Sequence, residues 1–176
     1  MPTFDLRDLH APVIGAPMAG GPSTPALAAA VTNAGGMGFL AGALLNGEKL
    51  AADIEEARSL TSGRLGVNLF VPQPNAGDPA QIEAYAAELA PLADKFGASL
   101  GDPRYDDDAW AEKLEVLLDL KPDAVSFTFG CAAADEIRRL TDAGIFTLGT
   151  VTTSTEADIA LGRGVDALVA QGPGAG

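Results

Sequence analysis

Short apolar runs alternate with longer stretches of helical periodicity, and this pattern predicts a chain built from repeated strand–loop–helix units. Six runs have the length of strands, and they lie at residues 13–18, 37–41, 65–71, 124–129, 146–151 and 167–171. The last five are mostly apolar without alternation, which is typical of strands buried on both faces of a parallel sheet. Repeated right-handed βα units leave two architectures open, a closed barrel and a doubly wound sheet.

Helices are predicted after these runs, at residues 24–33, 48–60, 80–96, 107–120, 132–143 and 156–163. Residues 72–79 are rich in proline, so they can be neither helix nor central strand. The region from about 72 to 120 is therefore predicted to be a helical insertion after the third strand. Within it, the run Asp106, Asp107 and Asp108 is interpreted as a cap at the positive end of the next helix rather than as a metal loop.

A small, glycine-rich loop at residues 16–21 separates the first apolar run from its helix. Ser23 or Thr24 can cap that helix, and Pro25 suits its first turn. Bare backbone at the C-terminal end of a strand is how α/β proteins approach a flat or phosphorylated ligand, although an ordinary tight turn is the alternative. The G-x-G-x-x-G fingerprint of dinucleotide-binding sheets is absent here, which favours the barrel.

Composition and net charge argue against several kinds of site and of partner. The chain has 176 residues, 47% of them apolar, which is enough for one domain spanning residues 1–176. The single Cys131 and single His10 argue against a disulfide and against a metal site. A net charge of −13 disfavours nucleic acid and anionic membranes as partners. No apolar run could span a bilayer and no signal peptide is recognisable, so a soluble, cytoplasmic protein is expected.

Two polar amides stand at the ends of apolar runs, where α/β barrels build their active sites. Asn68 interrupts the third run, and an unsatisfied buried amide costs about 1–3 kcal/mol. Its partner is either a neighbouring strand or loop, or the heteroaromatic edge of a ligand. Gln171 ends the sixth run and is followed by glycines, so it either contacts a ligand or caps a turn.

Five stretches together resemble the nitronate monooxygenase family, formerly the 2-nitropropane dioxygenases. They lie in order at residues 16–25, 33–38, 66–72, 125–130 and 169–172, so the resemblance covers essentially the whole chain. It implies a TIM-type (β/α)8 barrel that holds FMN non-covalently, to which this chain contributes about the first six βα units. Such barrels typically need about 250 residues, and their last two units commonly build the phosphate site. The chain is therefore expected to be an incomplete barrel that is inactive by itself.

The resemblance also implies the contacts of the cofactor. The matching residues are Ala16, Pro17, Met18, Asn68, Gln171 and Gly176. The first three would lie along the isoalloxazine through backbone groups, the two amides would hydrogen-bond the flavin, and the glycine would lie close to it. The family's catalytic histidine is expected just beyond Gly176, and His10, which precedes the first strand, is expected at the bottom of the barrel.

The implied activity is FMN-dependent oxidation of alkyl nitronates or nitroalkanes by dioxygen to a carbonyl compound and nitrite. The substrate anion reduces the flavin, and the reduced flavin then reacts with dioxygen. An FMN-dependent enoyl-acyl-carrier-protein reductase is one alternative. A non-catalytic, truncated barrel fragment that self-associates through its exposed sheet edges is another. The expected partners are the small-molecule substrate and dioxygen, and a homo-oligomer is compatible with the sequence.

Overall fold

Strands and helices alternate in the computed structural model, which describes residues 5–174. The strands are β1 (Gly38–Ala41), β2 (Leu65–Phe70), β3 (Ala124–Thr128), β4 (Phe146–Val151) and β5 (Ala167–Ala170). The helices are α1 (Pro25–Asn33), α2 (Gly47–Leu60), α3 (Pro79–Phe96), α4 (Trp110–Leu120), α5 (Ala134–Asp142) and α6 (Ser154–Arg163), with a short 3₁₀ helix at Leu6–Asp8. No helix in this part of the chain is long and apolar enough to cross a membrane.

The strands form one parallel sheet in the order β1-β2-β3-β4-β5. Ala41 lies opposite Asn68, Asn68 opposite Ser126, and Ser126 opposite Leu148. A doubly wound sheet would reverse its strand order at a switch point, whereas a barrel adds each new strand beside the last. The order in the described residues is therefore that of a barrel.

The chain divides into two compact units. One contains the chain up to Pro72 and from Asp108 onward, with the whole sheet, and the other is Gln73–Asp107. In the second unit, Asp78 caps the first turn of α3 by accepting from Ala80 N at 2.9 Å. Helix α4 belongs to the first unit.

Both faces of the sheet bury apolar side chains. The larger cluster lies between the sheet and its helices and includes Leu50 and Ile54 of α2 and Leu117 of α4. The opposite face carries a smaller cluster, made of Met37, Phe39, Ala124, Phe146 and Leu148. We call this second surface the inner face. Because side chains alternate along a strand, the inner face also receives Asn68 and Ser126.

Two aspartates hold the amino ends of neighbouring strands together. Asp123 donates its N–H to Leu65 O, and its Oδ2 accepts from Leu65 N at 3.0 Å. Asp166 repeats this arrangement on Thr147, whose N and Oγ1 both donate to Asp166 Oδ2, at 2.8 and 2.9 Å. Each aspartate immediately precedes a strand, so the pair sets the register of β2 against β3 and of β4 against β5.

The strand predicted at residues 13–18 is reduced to one parallel bridge, between Ile14 and Met37. Gly15 N donates to Met37 O, and Met37 N donates to Val13 O, but the ladder goes no further. In a parallel ladder, the next bonds on this edge would use Gly15 O and the N–H of residue 17. Pro17 has no N–H to contribute. Residues 5–174 therefore contain five strands and a bridged segment where the sequence predicted six strands.

The aspartate run before α4 does not cap that helix as predicted. The N-cap position is Ala109, with φ 51°, and no side chain accepts a hydrogen bond there. Asp108 Oδ1 instead accepts from Leu44 N at 2.8 Å. Because Asp108 itself has φ 56°, its side chain is turned away from the first turn of the helix.

Candidate functional site

The segment of Ala16, Pro17 and Met18 follows the bridged residue Ile14 and is fastened by a single serine. Met18 N donates to Ser23 Oγ at 2.7 Å, and the Ser23 hydroxyl donates to Ala16 O at 2.9 Å. Thr24, rather than Ser23, caps α1, by accepting from Leu27 N. The Met18 side chain is 44% exposed. Ser23 thus fixes the backbone conformation of residues 16–18, and part of this segment is exposed.

Asn68 lies on the inner face of β2 and is only 2% exposed. Its Oδ1 accepts from Ser126 Oγ at 2.7 Å and from Thr128 Oγ1 at 3.0 Å. Among residues 5–174, no acceptor bonds Nδ2 of the same amide, so this N–H₂ group keeps its donor capacity. The two hydroxyls fix the plane of the amide, because Oδ1 uses both of its lone-pair directions.

The two hydroxyl residues beside Asn68 were missed as site residues in the sequence. The run Val125, Ser126, Phe127, Thr128 alternates between apolar and hydroxyl side chains. With the period of two of a β-strand, this alternation puts both hydroxyls on one face. That signal was available, but the partner of the hydroxyls becomes evident only from the register of β2 against β3.

Gln171 follows β5 directly, and its N–H donates to Val151 O at 2.9 Å. Three strand spacings, roughly 14 Å across the sheet, separate β5 from β2. The structure therefore places Gln171 at the carboxyl end of the sheet but does not bring it into contact with Asn68. Gly176, the remaining predicted contact, lies outside the described residues.

An aromatic pair stands at the same end of the sheet. The rings of Phe70 and Phe129 meet edge to face, with centroids 4.7 Å apart. Phe129 has φ 66° and is exposed, and Gly130 follows with φ 139°. Phe70 pairs with Thr128 across β2 and β3, so the aromatic pair adjoins the Asn68 cluster. An exposed phenylalanine in a left-handed conformation is a feature that the sequence did not reveal.

Two titratable groups near this edge serve the fold. Glu156 accepts hydrogen bonds from Thr152 N at 2.6 Å and from Thr152 Oγ1 at 2.8 Å, and these bonds lower the pKa of its carboxyl. Burial raises the pKa of the Cys131 thiol, an effect that the nearby Arg163 guanidinium only partly offsets. The Cys131 thiol therefore stays protonated and packs against the larger core cluster.

His10 lies at the opposite end of the sheet. The next residue, Ala11, donates its N–H to Gly35 O at 2.9 Å, in the turn that precedes β1. The imidazole packs closely against Gly35, where a β-carbon would come within 3.1 Å of the ring. This position separates His10 from the carboxyl ends of the strands.

Comparison with known proteins decides the family. The family model for nitronate monooxygenase matches residues 5–176. The chain belongs to the nitronate monooxygenase family. It is 42% identical to nitronate monooxygenase of Pseudomonas aeruginosa and 42% identical to that of Paraburkholderia phytofirmans, each over 97% of this chain. These alignments cover 50% and 48% of the two relatives, so the chain spans about half of their length.

Solved structures of similar shape agree with this assignment. Nitroalkane oxidase from Streptomyces ansochromogenes superposes with a TM-score of 0.88 and 43% identity, over 94% of this chain and 47% of that one. A FabK variant from Thermotoga maritima superposes with a TM-score of 0.67 and 25% identity, over 94% and 44% of the two chains. The α/β class and the partial TIM barrel of the sequence analysis are confirmed. The family is one of oxidoreductase enzymes.

Proposed function

We propose that the protein containing this chain is a flavoenzyme that oxidises alkyl nitronates or nitroalkanes, with dioxygen as the electron acceptor. The observation that carries the proposal is the Asn68 amide, clamped by two hydroxyls at the carboxyl end of a barrel sheet in a nitronate monooxygenase relative. The proposed products are a carbonyl compound and nitrite. The proposed domain is an incomplete FMN-binding barrel at residues 1–176, with a helical insertion at about 72–120.

The ring system of FMN fits the groups that the chain presents. An isoalloxazine offers carbonyl oxygens and ring nitrogens as acceptors, and the Asn68 amide can offer its N–H₂ group to one of them, because Ser126 and Thr128 occupy its Oδ1. Ala16 O and Met18 N are both bonded to Ser23. These atoms therefore contribute a fixed surface for the ring rather than hydrogen bonds. Gln171 is proposed as a second amide contact at the far side of the ring.

The phosphate of FMN is not assigned to residues of this chain. In TIM barrels the phosphate site is commonly formed by the last two βα units, and the described sheet ends with β5. The proposal therefore gives the chain the ring contacts only. The catalytic histidine expected beyond Gly176 likewise lies outside the described residues.

The described side chains have a binding and shielding role in the proposed reaction. Bound FMN supplies a two-electron oxidation of the substrate and the transfer of those electrons to dioxygen. Asn68, held by Ser126 and Thr128, orients the ring through a donor that cannot rotate freely. Phe70 and Phe129 give the site an apolar border that limits access of water to the substrate anion.

The proposal is tested on the full-length protein by visible absorption, FMN titration, oxygen uptake and nitrite release. Asn68→Ala is expected to weaken FMN binding by about tenfold or more, because a buried hydrogen-bonded amide is lost. Asn75→Ala, in the second unit, is the matched control and should bind FMN like the wild type. Full-length protein that binds FMN but releases no nitrite from any alkyl nitronate would refute the proposal.

The enoyl-acyl-carrier-protein reductase is kept as a second candidate because a FabK variant shares this fold at 25% identity. NADH consumption with an enoyl thioester distinguishes the two activities. A stable, colourless oligomer would instead support a non-catalytic fragment. The proposed partners are a small nitronate and dioxygen, with self-association to be measured by sedimentation, and the proposed location is the cytoplasm.

A further inference from the structure

Lys113 lies in the first turn of α4 and carries a buried charge that has no role in the proposed reaction. Its side chain is only 1% exposed. Nζ lies 2.8 Å from Asp108 Oδ1, but Nζ makes no well-aligned hydrogen bond within the described part of the chain. An ammonium group out of water is unfavourable unless it is paired, so the Asp108 carboxylate is what makes this position tolerable.

The same carboxylate oxygen also binds the loop that follows β1. Leu44 N donates to Asp108 Oδ1 at 2.8 Å. Leu44 has φ 63°, while Asp108 and Ala109 have φ 56° and 51°. This left-handed conformation is unfavourable for a residue with a β-carbon, and it persists where surrounding contacts impose it. Lys113 and Asp108 therefore hold a strained loop through one shared oxygen. We call the contact of Lys113, Asp108 and Leu44 the loop clasp.

The loop clasp lies next to the candidate flavin site. Gly42, two residues before Leu44, donates its N–H to Asn68 O at 2.8 Å. At the other end of the loop, Gly47 begins α2 against the side chain of Glu112 on α4. Residues 42–46 are thus attached to Asn68 on one side and to α4 on the other. Between these attachments, the Leu44 side chain is 72% exposed at the carboxyl end of β1.

We propose that Lys113 and Asp108 are positioning residues, and that the Leu44 they hold sets the preference for the alkyl chain of the substrate. This inference rests on the proposed function, because it needs a substrate with an apolar part. A large apolar side chain exposed beside the site offers a contact to an alkyl group. The clasp keeps that contact in place by fixing the backbone of the loop.

The clasp itself is tested by amide hydrogen exchange at Leu44 in the full-length protein. Asp108→Ala is expected to raise the exchange rate of the Leu44 amide by about tenfold or more, since its acceptor is removed. Asp119→Ala, which removes an exposed carboxylate from α4, is the control and should leave the rate unchanged. Equal exchange in Asp108→Ala and the wild type would overturn the clasp.

A double variant separates positioning from loss of folding. Lys113→Met combined with Asp108→Asn removes both charges but keeps an oxygen acceptor for Leu44 N. Because no charge is then buried unpaired, the Leu44 amide should regain most of its protection relative to Asp108→Ala. Failure of this pair to restore protection, in a protein that is folded by circular dichroism, would also overturn the positioning role.

The specificity role is tested with nitronates of increasing chain length. Leu44→Ala is expected to raise KM by about fourfold for each methylene group that Leu44 covers, with kcat and FMN affinity little changed. Leu161→Ala, an exposed leucine on α6, is the matched control. If the wild type oxidises nitronates and the KM of Leu44→Ala depends on nitronate chain length as it does in the wild type, the specificity role is overturned. The proposed function then stands. If the FMN-loaded wild type oxidises no nitronate, both fail.

Discussion

Replacing Asp166 by alanine is expected to destabilise the protein strongly, although the residue lies far from the candidate site. Asp166 Oδ2 accepts from both N and Oγ1 of Thr147, and Thr147 is fully buried at the start of β4. Alanine at position 166 leaves two donors without their acceptor. Each unsatisfied buried donor costs about 1–3 kcal/mol, so the free energy of unfolding should fall by about 2–6 kcal/mol.

This loss is large enough to measure by both chemical and thermal denaturation. For a protein of this size, 1 kcal/mol corresponds to roughly 2–4 °C in Tm, so Asp166→Ala should lower Tm by about 4–24 °C. Urea unfolding followed by circular dichroism gives the free energy directly. Asp123→Ala should cost less, because Asp123 Oδ2 accepts from a single backbone donor, Leu65 N.

Two comparisons make the prediction refutable. Asp166→Asn keeps an oxygen that can accept from Thr147, so it should retain most of the stability. Asp158→Ala removes an exposed carboxylate from α6 and should change stability by less than about 0.5 kcal/mol. A value for Asp166→Ala within that same range, or an equal loss in Asp158→Ala, would refute the view that these aspartates fix the strand register.

Three further predictions concern other parts of the first unit. Ser23→Ala should weaken FMN binding of the full-length protein in a fluorescence titration, because it frees two backbone groups of the glycine-rich loop, and Ser23→Thr should retain part of the affinity. Glu156 has a pKa lowered by the N–H and hydroxyl of Thr152, so its stabilising effect is full above its ordinary value of 4.5 and is lost as the pH falls below it. The difference in Tm between wild type and Glu156→Gln should therefore shrink between pH 6 and about pH 3, and a constant difference would contradict this. Gly66→Ala would put a β-carbon 2.3 Å from the Phe39 ring, so urea unfolding should show a loss of about 1–3 kcal/mol.

Much of the fold is readable from the apolar runs. Runs of strand length separated by helical periodicity predicted β1 to β5 to within one or two residues, because strands covered on both faces must be apolar throughout. Leu50, Ile54, Ala57 and Leu60 recur at helical spacing and so predict the buried side of α2; the first three are buried, whereas Leu60 at the end of the helix is 47% exposed. The first run was apolar as well, yet it formed only the bridge at Ile14, and Pro17 lacks the N–H that the next ladder position would use.

The residues of the candidate site were likewise only partly predictable from the sequence. Asn68 could be singled out because an amide within an apolar run needs a partner, but its partners Ser126 and Thr128 are 58 and 60 residues away in sequence. The role of Asp108 was predicted wrongly for a related reason. A run of aspartates before a helix favours an N-cap, but the left-handed backbone at Asp108 turns the carboxylate toward Leu44 and Lys113 instead.

The sequence by itself determined the α/β class, the succession of strands and helices, and the family to which the chain belongs. These properties depend on local periodicity and on motifs that are contiguous along the chain. Only the tertiary structure decided which side chains meet at the carboxyl ends of the strands and how the loop after β1 is held. Those outcomes depend on strand register and on hydrogen bonds between residues distant in sequence, which a local pattern does not encode.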